Sequence, residues 1–288
     1  MTFQPDLDAY FDRIRYAGSR APTLATLNAI ALHHVQAIPF ENLDVLLQRG
    51  IHLDPPRVEE KLIYARRGGY CFEQNTHLLY VLLALGFDAA PISARVRVDR
   101  PRDFTPPRTH VFVRVELDGA SWLVDAGVGG LSPTSALRLV EDEVQVTPHE
   151  PRRLVSEGNP PNERHSPQQP TFHREVNQRI IHQAFFAERW NDVCEFTLDA
   201  MPEIDREIGN WYTSTHPESR FKERLLVARA TPTGRLTLLN RTFTRRERGH
   251  VETRILTSPP ELLEVLDAEF GLMFPSDTRF RYPGLDSL

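Results

Sequence analysis

Cysteine is scarce in this chain, with only two among 288 residues. Cys71 and Cys194 cannot build the framework of disulfides that stabilises small secreted proteins. Both thiols are therefore expected to be free, as in a protein of the reducing cytoplasm. Residues 1–16 lack the basic segment followed by an apolar run that marks a secretion signal, and this supports the same cytoplasmic expectation.

Long apolar runs and a basic excess are also missing. No apolar stretch is long enough to cross a bilayer, and the formal net charge is −5. A small negative charge argues against a large basic surface for nucleic acid. We therefore expect neither a membrane nor a nucleic-acid partner. The composition, 40% hydrophobic and 25% charged, is ordinary for a globular protein.

The first 88 residues have the apolar spacing of helices. Leu7, Tyr10, Phe11 and Ile14 share one helical face, and Gly18 is the expected stop of that helix. A second helix is predicted over 23–38, before Pro39, and a third over 71–85, before Gly86. The start of the chain is therefore predicted to be a helical bundle over 1–88.

Beyond residue 89 the apolar residues alternate, which is typical of strands. Strands are predicted at 91–99, 110–117, 121–128, 224–231 and 235–247. A final helix is predicted at 259–271. The polar, proline-rich stretch 155–170 is predicted to be a long loop or insertion. Helices first, then strands, then strands with a helix indicate an α+β fold rather than alternating βαβ units.

Cys71 lies at a predicted helix N-terminus. Gly68 and Gly69 allow a tight bend before it, and an apolar helical face follows it. Free N–H groups and the positive end of the helix dipole stabilise a thiolate at such a position. The alternative is a small buried hydrophobe, which is what most free cysteines are.

A hairpin offers this cysteine a base and an orienting group. If the turn is centred on Asp118-Gly119, then Leu117 pairs with Ala120, and Asp125 becomes a diagonal neighbour of His110. Diagonal neighbours lie roughly 7–8 Å apart, within reach of an Asp–imidazole hydrogen bond. A register slip of one residue would place the two side chains on opposite faces. The alternative is that Asp125 caps the following turn and His110 is an ordinary strand residue.

Together, Cys71, His110 and Asp125 make a candidate Cys-His-Asp triad, an arrangement that occurs on unrelated folds. Spacing alone does not say which acyl group such a triad would move.

The stretch "RGGYCFEQN" at 67–75 resembles the active-site signature of the arylamine N-acetyltransferase family. Other stretches resemble that family's signatures in the same order: "IPFENLDVLL" (38–47), "TH" (109–110), "VDAGVGG" (124–130), "NWYTSTHPESRF" (210–221), and "LNRTFTRRERG" followed by "PPELLEVLDAEFGL" (239–249 and 259–272). The resemblance covers nearly the whole chain.

This resemblance implies a core similar to papain-like proteases and transglutaminases. It implies a helical bundle over 1–88 that carries the nucleophile, a β-barrel over 89–204 that carries His and Asp, and an α/β lid over 205–288. The implied reaction is ping-pong transfer of acetyl from acetyl-CoA, the co-substrate, through an acetyl-Cys71 thioester to an arylamine, arylhydrazine or N-hydroxyarylamine. No metal and no prosthetic group are implied. A monomer or a homodimer is expected.

By the same resemblance, Cys71 matches the nucleophile, His110 the base and Asp125 the orienter. Candidate substrate and coenzyme contacts are Phe40, Phe72 and Val128 for the amine, and Thr109, Gly127, Gly129 and Gly130 for CoA. For the phenylalanines the alternative is core packing, and for the glycines it is a turn at the end of the hairpin. Val128 stands where many relatives have phenylalanine, which should widen the acceptor pocket. Cys194 is predicted to be buried and inert.

The triad and the fold also suggest three other functions. An amide synthase that releases a polyketide by intramolecular amide formation would share the triad and carry a bulky acyl chain. Peptide hydrolysis by the same triad is disfavoured by the motifs outside it. A binding protein without turnover is disfavoured because it would have no use for a poised thiolate.

Overall fold

The computed structural model describes residues 3–157 and 179–282. The helices are α1 (Leu7–Ile14), α2 (Leu24–Ala37), α3 (Leu43–Leu46), α4 (Pro55–Glu59), α5 (Cys71–Ala84), α6 (Glu203–Thr215), α7 (Arg220–Glu223) and α8 (Pro259–Phe270). The strands are β1 (Phe40–Glu41), β2 (Asp88–Val96), β3 (His110–Leu117), β4 (Ala120–Val124), β5 (Leu137–Arg138), β6 (Arg152–Glu157), β7 (Arg179–Phe186), β8 (Arg189–Ala200), β9 (Leu226–Thr231), β10 (Gly234–Leu239), β11 (Thr242–Glu247) and β12 (His250–Ile255). A π-helical turn (Glu60–Tyr64) and a 3-10 turn (Gly129–Leu131) complete the elements.

Local capping explains where the predicted helices begin and end. The Thr23 side chain accepts a hydrogen bond from the Thr26 amide at 3.2 Å, which starts α2 where it was predicted. Helix α8 starts at the Ser258 cap and ends at Gly271, whose φ of 69° is the left-handed geometry that favours glycine. The predicted stop of α1 at Gly18 is wrong, because Arg15 takes the left-handed conformation and ends the helix at Ile14.

The N-terminal helices share one core with the first barrel strands. Helices α1, α2 and α5 bury apolar side chains against each other and against β3. The central members of this core are Tyr10, Phe11, Leu27, Ile30, Leu78, Val81 and Val113. The burial of this apolar surface is the main force that holds α5, and therefore Cys71, against the sheet.

Seven strands form an antiparallel sheet in the order β5-β4-β3-β2-β8-β7-β6. The sheet curves into a nearly closed barrel, and Gln145 bridges its two edges. The Gln145 side chain bonds the backbone N and O of Arg138 at 2.7 and 2.9 Å, and its own backbone exchanges two bonds with Arg152 at 2.7 and 2.9 Å. The mixture of helices and a barrel-like sheet confirms the predicted α+β class.

A second sheet has the order β1-β9-β10-β11-β12, and α8 packs on it. Its first strand comes from the N-terminal region, since Phe40 pairs with Ala228 and Glu41 with Val227. The predicted strand at 224–231 is confirmed as β9. The single strand predicted at 235–247 is wrong, because Asn240, with a φ of 55°, and Arg241 form a turn that divides it into the paired strands β10 and β11. The division at 1–88, 89–204 and 205–288 stays a prediction.

The polar stretch predicted as a loop at 155–170 begins inside a strand. Residues 155–157 belong to β6 and pair with β7, so the loop prediction is wrong for them. Residues 158–170 lie outside the described residues. Within 3–157 and 179–282, no helix combines the length and the apolar character that a membrane span requires.

Candidate active site

Cys71 is the first residue of α5 and is 3% exposed. The preceding Tyr70 amide donates to the Glu73 carboxylate at 3.0 Å, which closes the first turn of the helix. A side chain at Gly68 would meet the Pro39 carbonyl at 2.1 Å, and one at Gly69 would meet Glu73 at 2.9 Å. The two glycines therefore let the chain pass between β1 and the helix that carries the thiol.

A buried charged cluster supports the start of this helix. Lys61 Nζ lies 2.7 Å from a carboxylate oxygen of both Asp44 and Glu73. Arg67 contacts Glu41 at 2.6 Å and Asp44 at 3.1 Å. Burial lowers the pKa of Lys61, but the carboxylates of Glu73, Glu41 and Asp44 outweigh it and raise that pKa above its ordinary value. Lys61 therefore stays charged, and its ion pairs with Asp44 and Glu73 fix the loop around Cys71.

The hairpin β3–β4 has the predicted register, with Leu117 opposite Ala120 and Val113 opposite Val124. His110 Nε2 lies 3.0 Å from Asp125 Oδ2, and both residues are buried. Because Asp125 occupies Nε2, the ring nitrogen left for the thiol is Nδ1, which makes no hydrogen bond to any residue that the structure describes.

The Asp125 carboxylate is held by three donors. Oδ2 faces His110, while Oδ1 accepts from Asn75 Nδ2 at 2.8 Å and from the Gly127 amide at 2.7 Å. Burial raises the pKa of this carboxyl, but the charge of His110 and these hydrogen bonds lower it below its ordinary value. Asp125 is therefore an anion at neutral pH.

His110 is charged for the complementary reason. Burial lowers the pKa of its imidazole, but the Asp125 carboxylate and the nearby Cys71 side chain raise it to about 10. The ring is therefore an imidazolium at neutral pH and can stabilise a thiolate beside it. Cys71 Sγ also lies 3.6 Å from the Thr109 carbonyl oxygen, which places the sulfur next to β3.

Asn75 was missed in the sequence. It lies four residues after Cys71 on α5, one turn along the same face. Its Nδ2 donates to the Val111 carbonyl at 2.7 Å and to Asp125, and its Oδ1 accepts from the Ala126 amide at 2.8 Å. The spacing from Cys71 in "CFEQN" is the signal that could have identified it.

A cavity of about 460 Å³ opens beside Cys71 and His110. Of the predicted coenzyme contacts, Thr109 and Gly127 line it. Gly129 and Gly130 lie behind its wall, because side chains there would face Phe40 at 3.5 Å and Thr237 at 2.9 Å.

The predicted acceptor contacts divide in the same way. Phe40 and Val128 line the cavity, with Val96, Val98, Phe104 and Phe221. Phe72 does not: it is fully buried, 5.9 Å from the Tyr70 ring between centroids, and a side chain at Gly209 would reach it at 2.7 Å. The structure therefore places Phe72 in the packing between α5 and α6.

The second cysteine lies away from this cavity. Cys194 is fully buried in the barrel interior, as predicted, and burial raises the pKa of its thiol well above the ordinary value. Within the described parts of the chain, no group of three or more His, Cys, Asp and Glu side chains is placed to hold a metal ion.

Comparisons with known proteins agree on one family. The family model for N-acetyltransferase matches residues 23–279. The arylamine N-acetyltransferase of Escherichia coli K12 is 42% identical over 270 residues, which cover 93% of this chain and 89% of that protein. The structure of arylamine-N-acetyltransferase from M. tuberculosis superposes with a TM-score of 0.83 at 38% identity, over 92% of this chain and 93% of that one. The Mycobacterium marinum enzyme in complex with CoA gives 0.82 at 34% identity, over 92% of each chain.

Proposed function

This chain belongs to the arylamine N-acetyltransferase family, and we propose that it moves acetyl from acetyl-CoA to aromatic amines and hydrazines in two steps through Cys71. The observation that carries the proposal is the buried His110–Asp125 hydrogen bond at 3.0 Å beside a cysteine at a helix N-terminus. A thiol, an imidazole and an orienting carboxylate are the three parts of a nucleophilic triad.

In the first step the Cys71 thiolate attacks the thioester carbonyl of acetyl-CoA. A C–S bond forms at Cys71, and the C–S bond to CoA breaks. His110 gives its proton to the departing CoA thiolate, so that CoA leaves as a thiol and the imidazole becomes neutral. Acetyl-cysteine and acetyl-CoA are both thioesters, and the exchange is therefore nearly balanced in free energy.

In the second step the aromatic amine attacks the acetyl-Cys71 carbonyl. Neutral His110 takes a proton from the amine, a C–N bond forms, and the C–S bond to Cys71 breaks. The thiolate and the imidazolium are restored together. Aromatic amines are weak bases and are therefore neutral nucleophiles at pH 7, unlike alkyl amines.

The cavity suits such an acceptor. Its wall next to Cys71 is apolar, with Phe40, Val128 and Phe221 among the lining residues. A flat aromatic ring can replace water against these side chains, while the amine nitrogen faces the thioester. Acetyl-CoA is a suitable donor, because the similar Mycobacterium marinum enzyme has been solved in complex with CoA.

The proposal predicts that purified protein gains one acetyl group on Cys71 when it is mixed with acetyl-CoA in the absence of an amine. Intact-protein mass spectrometry followed by peptide mapping measures the adduct. Added aromatic amine should then remove it. Cys71→Ser is the matched control and should gain no comparable adduct. A wild-type protein that stays unmodified, or an equal adduct on Cys71→Ser, would refute the acetyl-Cys71 intermediate.

A further inference from the structure

Three arginines line the same cavity as Cys71. Arg100 comes from the loop after β2, and Arg220 and Arg224 come from helix α7 and the residue after it. All three are partly buried. The proposed two-step chemistry at Cys71 and His110 uses none of them.

These arginines lack the carboxylate partners that several other enclosed arginines of the fold have. Arg67 lies 2.6 Å from Glu41, and Arg235 lies 2.7 Å from Glu150. By contrast, no carboxylate in the described parts of the chain lies within 4.0 Å of the guanidinium of Arg100, Arg220 or Arg224. The cavity also contains Asp99 and Glu218, but both are beyond that distance.

The Arg220 guanidinium is close enough to those of Arg100 and Arg224 to be repelled by both. Burial lowers the pKa of Arg220, and the charges of Arg100 and Arg224 lower it further, while Asp99 and Glu223 oppose the shift. Like charges gathered at the wall of a cleft focus a positive potential there. A bound anion would remove this repulsion.

Their positions are fixed before any ligand arrives. The Asn42 side chain donates at 2.8 Å to the carbonyls of both Phe221 and Arg224, which holds α7 against β1. The Arg100 guanidinium lies over the Phe104 ring, 4.8 Å from its centroid. Preorganised charges lose less freedom on binding than mobile ones.

We propose that Arg100, Arg220 and Arg224 form an anion-binding rim that recognises an oxyanion of a substrate while the reacting group lies at Cys71. This inference rests on the proposed function. Guanidinium groups bind phosphate and carboxylate through paired N–H donors, so both chemistries fit the rim. The two sources are the phosphates of the CoA donor and a carboxylate on the aromatic amine.

The donor arm of the test compares acetyl-CoA with p-nitrophenyl acetate, an acetyl donor without phosphate. Acetylation of Cys71 is measured for two variants. One is Arg220→Gln, and the other is a triple variant in which all three arginines are changed to glutamine. If the rim binds the phosphates, we expect KM for acetyl-CoA to rise about tenfold for each lost charge-assisted bond. The rate with p-nitrophenyl acetate should change less than threefold, and Arg57→Gln, an exposed arginine of α4, is the matched control.

The acceptor arm keeps p-nitrophenyl acetate as the donor and compares 4-aminobenzoate with its neutral ethyl ester. If the rim binds an acceptor carboxylate, the arginine variants should have a KM for 4-aminobenzoate about tenfold above that of the wild type. Their KM for the neutral ester should stay constant. Higher KCl should raise KM for the affected substrate more in the wild type than in the triple variant, because salt screens exposed charges.

An effect confined to either arm supports the rim and identifies which substrate carries the anion. Variants that match Arg57→Gln in both arms would overturn the rim and leave the Cys71 chemistry intact. A wild-type protein that acetylates Cys71 with neither donor would overturn the proposed function and the rim with it. The two failures are therefore distinguishable.

Discussion

Asn75 ties the helix that carries Cys71 to the hairpin that carries His110 and Asp125. Its amide group satisfies the Val111 carbonyl, the Asp125 Oδ1 atom and the Ala126 amide at once, at 2.7 to 2.8 Å. All of these groups are buried, and therefore water cannot replace the amide if it is removed. A residue with no direct part in the proposed chemistry thus sets the distance between Cys71 and Asp125.

Asn75→Ala should lower the free energy of unfolding by about 3 kcal/mol, because each buried polar group left without a partner costs about 1–3 kcal/mol. It should also slow the alkylation of Cys71 by iodoacetamide at neutral pH by about tenfold or more, since Asp125 would no longer be held against His110. Urea unfolding and alkylation kinetics are the two measurements.

Thr76→Val is the matched control on the next residue of α5. The Thr76 hydroxyl is buried and makes no hydrogen bond to a described residue, so its loss should cost little in stability or reactivity. Equal effects of the two substitutions would show that helix packing, rather than the amide of Asn75, sets the reactivity of Cys71.

Among the elements, the turn after β4 approaches the start of α5 very closely. A side chain at Gly127 would lie 2.5 Å from the Cys71 Cα atom and 2.8 Å from its Cβ atom. The obstacle is backbone and cannot rotate away. The absence of a side chain at residue 127 is therefore what allows Asp125 and the Gly127 amide to reach helix α5.

Gly127→Ala should reduce Cys71 acetylation at least about 100-fold, because displacements near 1 Å cost about that much in a preorganised site. Gly119→Ala, at the other end of the hairpin, is the comparison. Nothing lies within 4 Å of its added methyl group, and its φ of 74° makes the cost one of local strain. Mass spectrometry of the acetyl adduct measures both, and similar losses in the two variants would contradict the close-approach argument.

The elements closest to the site were also the most predictable. The Asp118-Gly119 turn fixes every pair of the β3–β4 hairpin, so the relation of His110 to Asp125 followed from counting. Helix α5 was predictable, but the side that faces the cavity was not. Nearly the whole helix is buried, and its apolar pattern therefore does not distinguish Cys71 from Phe72 as a cavity residue.

Contacts between distant parts of the chain could not be predicted. The pairing of β1 with β9 joins Phe40 to Ala228. The hydrogen bonds of Asn42 to Phe221 and Arg224 likewise join parts of the chain that are far apart in the sequence. A two-residue strand leaves no periodic signal, and its partner is chosen by the packing of the whole fold. The anion-binding rim was missed for this reason, since its arginines meet only when α7 and the loop after β2 come together.

At the scale of the whole molecule, three buried histidines link stability to pH. Burial is the main cause that lowers the pKa of His34 to about 4 and of His77 and His182 to about 3. The unfolded chain binds protons on these groups below about pH 6.5, whereas the folded chain does not. The stability that the folded state gains by burying these neutral histidines is therefore complete above pH 6.5. It is lost as pH falls from 6.5 toward 4.

Urea unfolding at pH 7 and pH 5 should show a lower free energy of unfolding at pH 5, by up to about 2 kcal/mol for each of these histidines. His34→Gln should weaken this pH dependence, while His250→Gln, at an exposed histidine, should leave it unchanged. A free energy of unfolding that is equal at the two pH values would contradict the buried neutral state of these residues.

The pairing of β1 with β9 also determines how molecules reach the sulfur. Phe40 forms part of the cavity wall, and its backbone is paired with Ala228 of the C-terminal sheet. Moving that sheet away from Cys71 would break the backbone hydrogen bonds between β1 and β9. The cavity is therefore not expected to open by a hinge motion of the sheet. Small molecules must therefore enter through the existing opening of the cavity, whose width depends on side chains such as Phe104 and Arg220. Side-chain rotation takes picoseconds to nanoseconds, so exchange of the proposed substrates need not wait for slow domain motion.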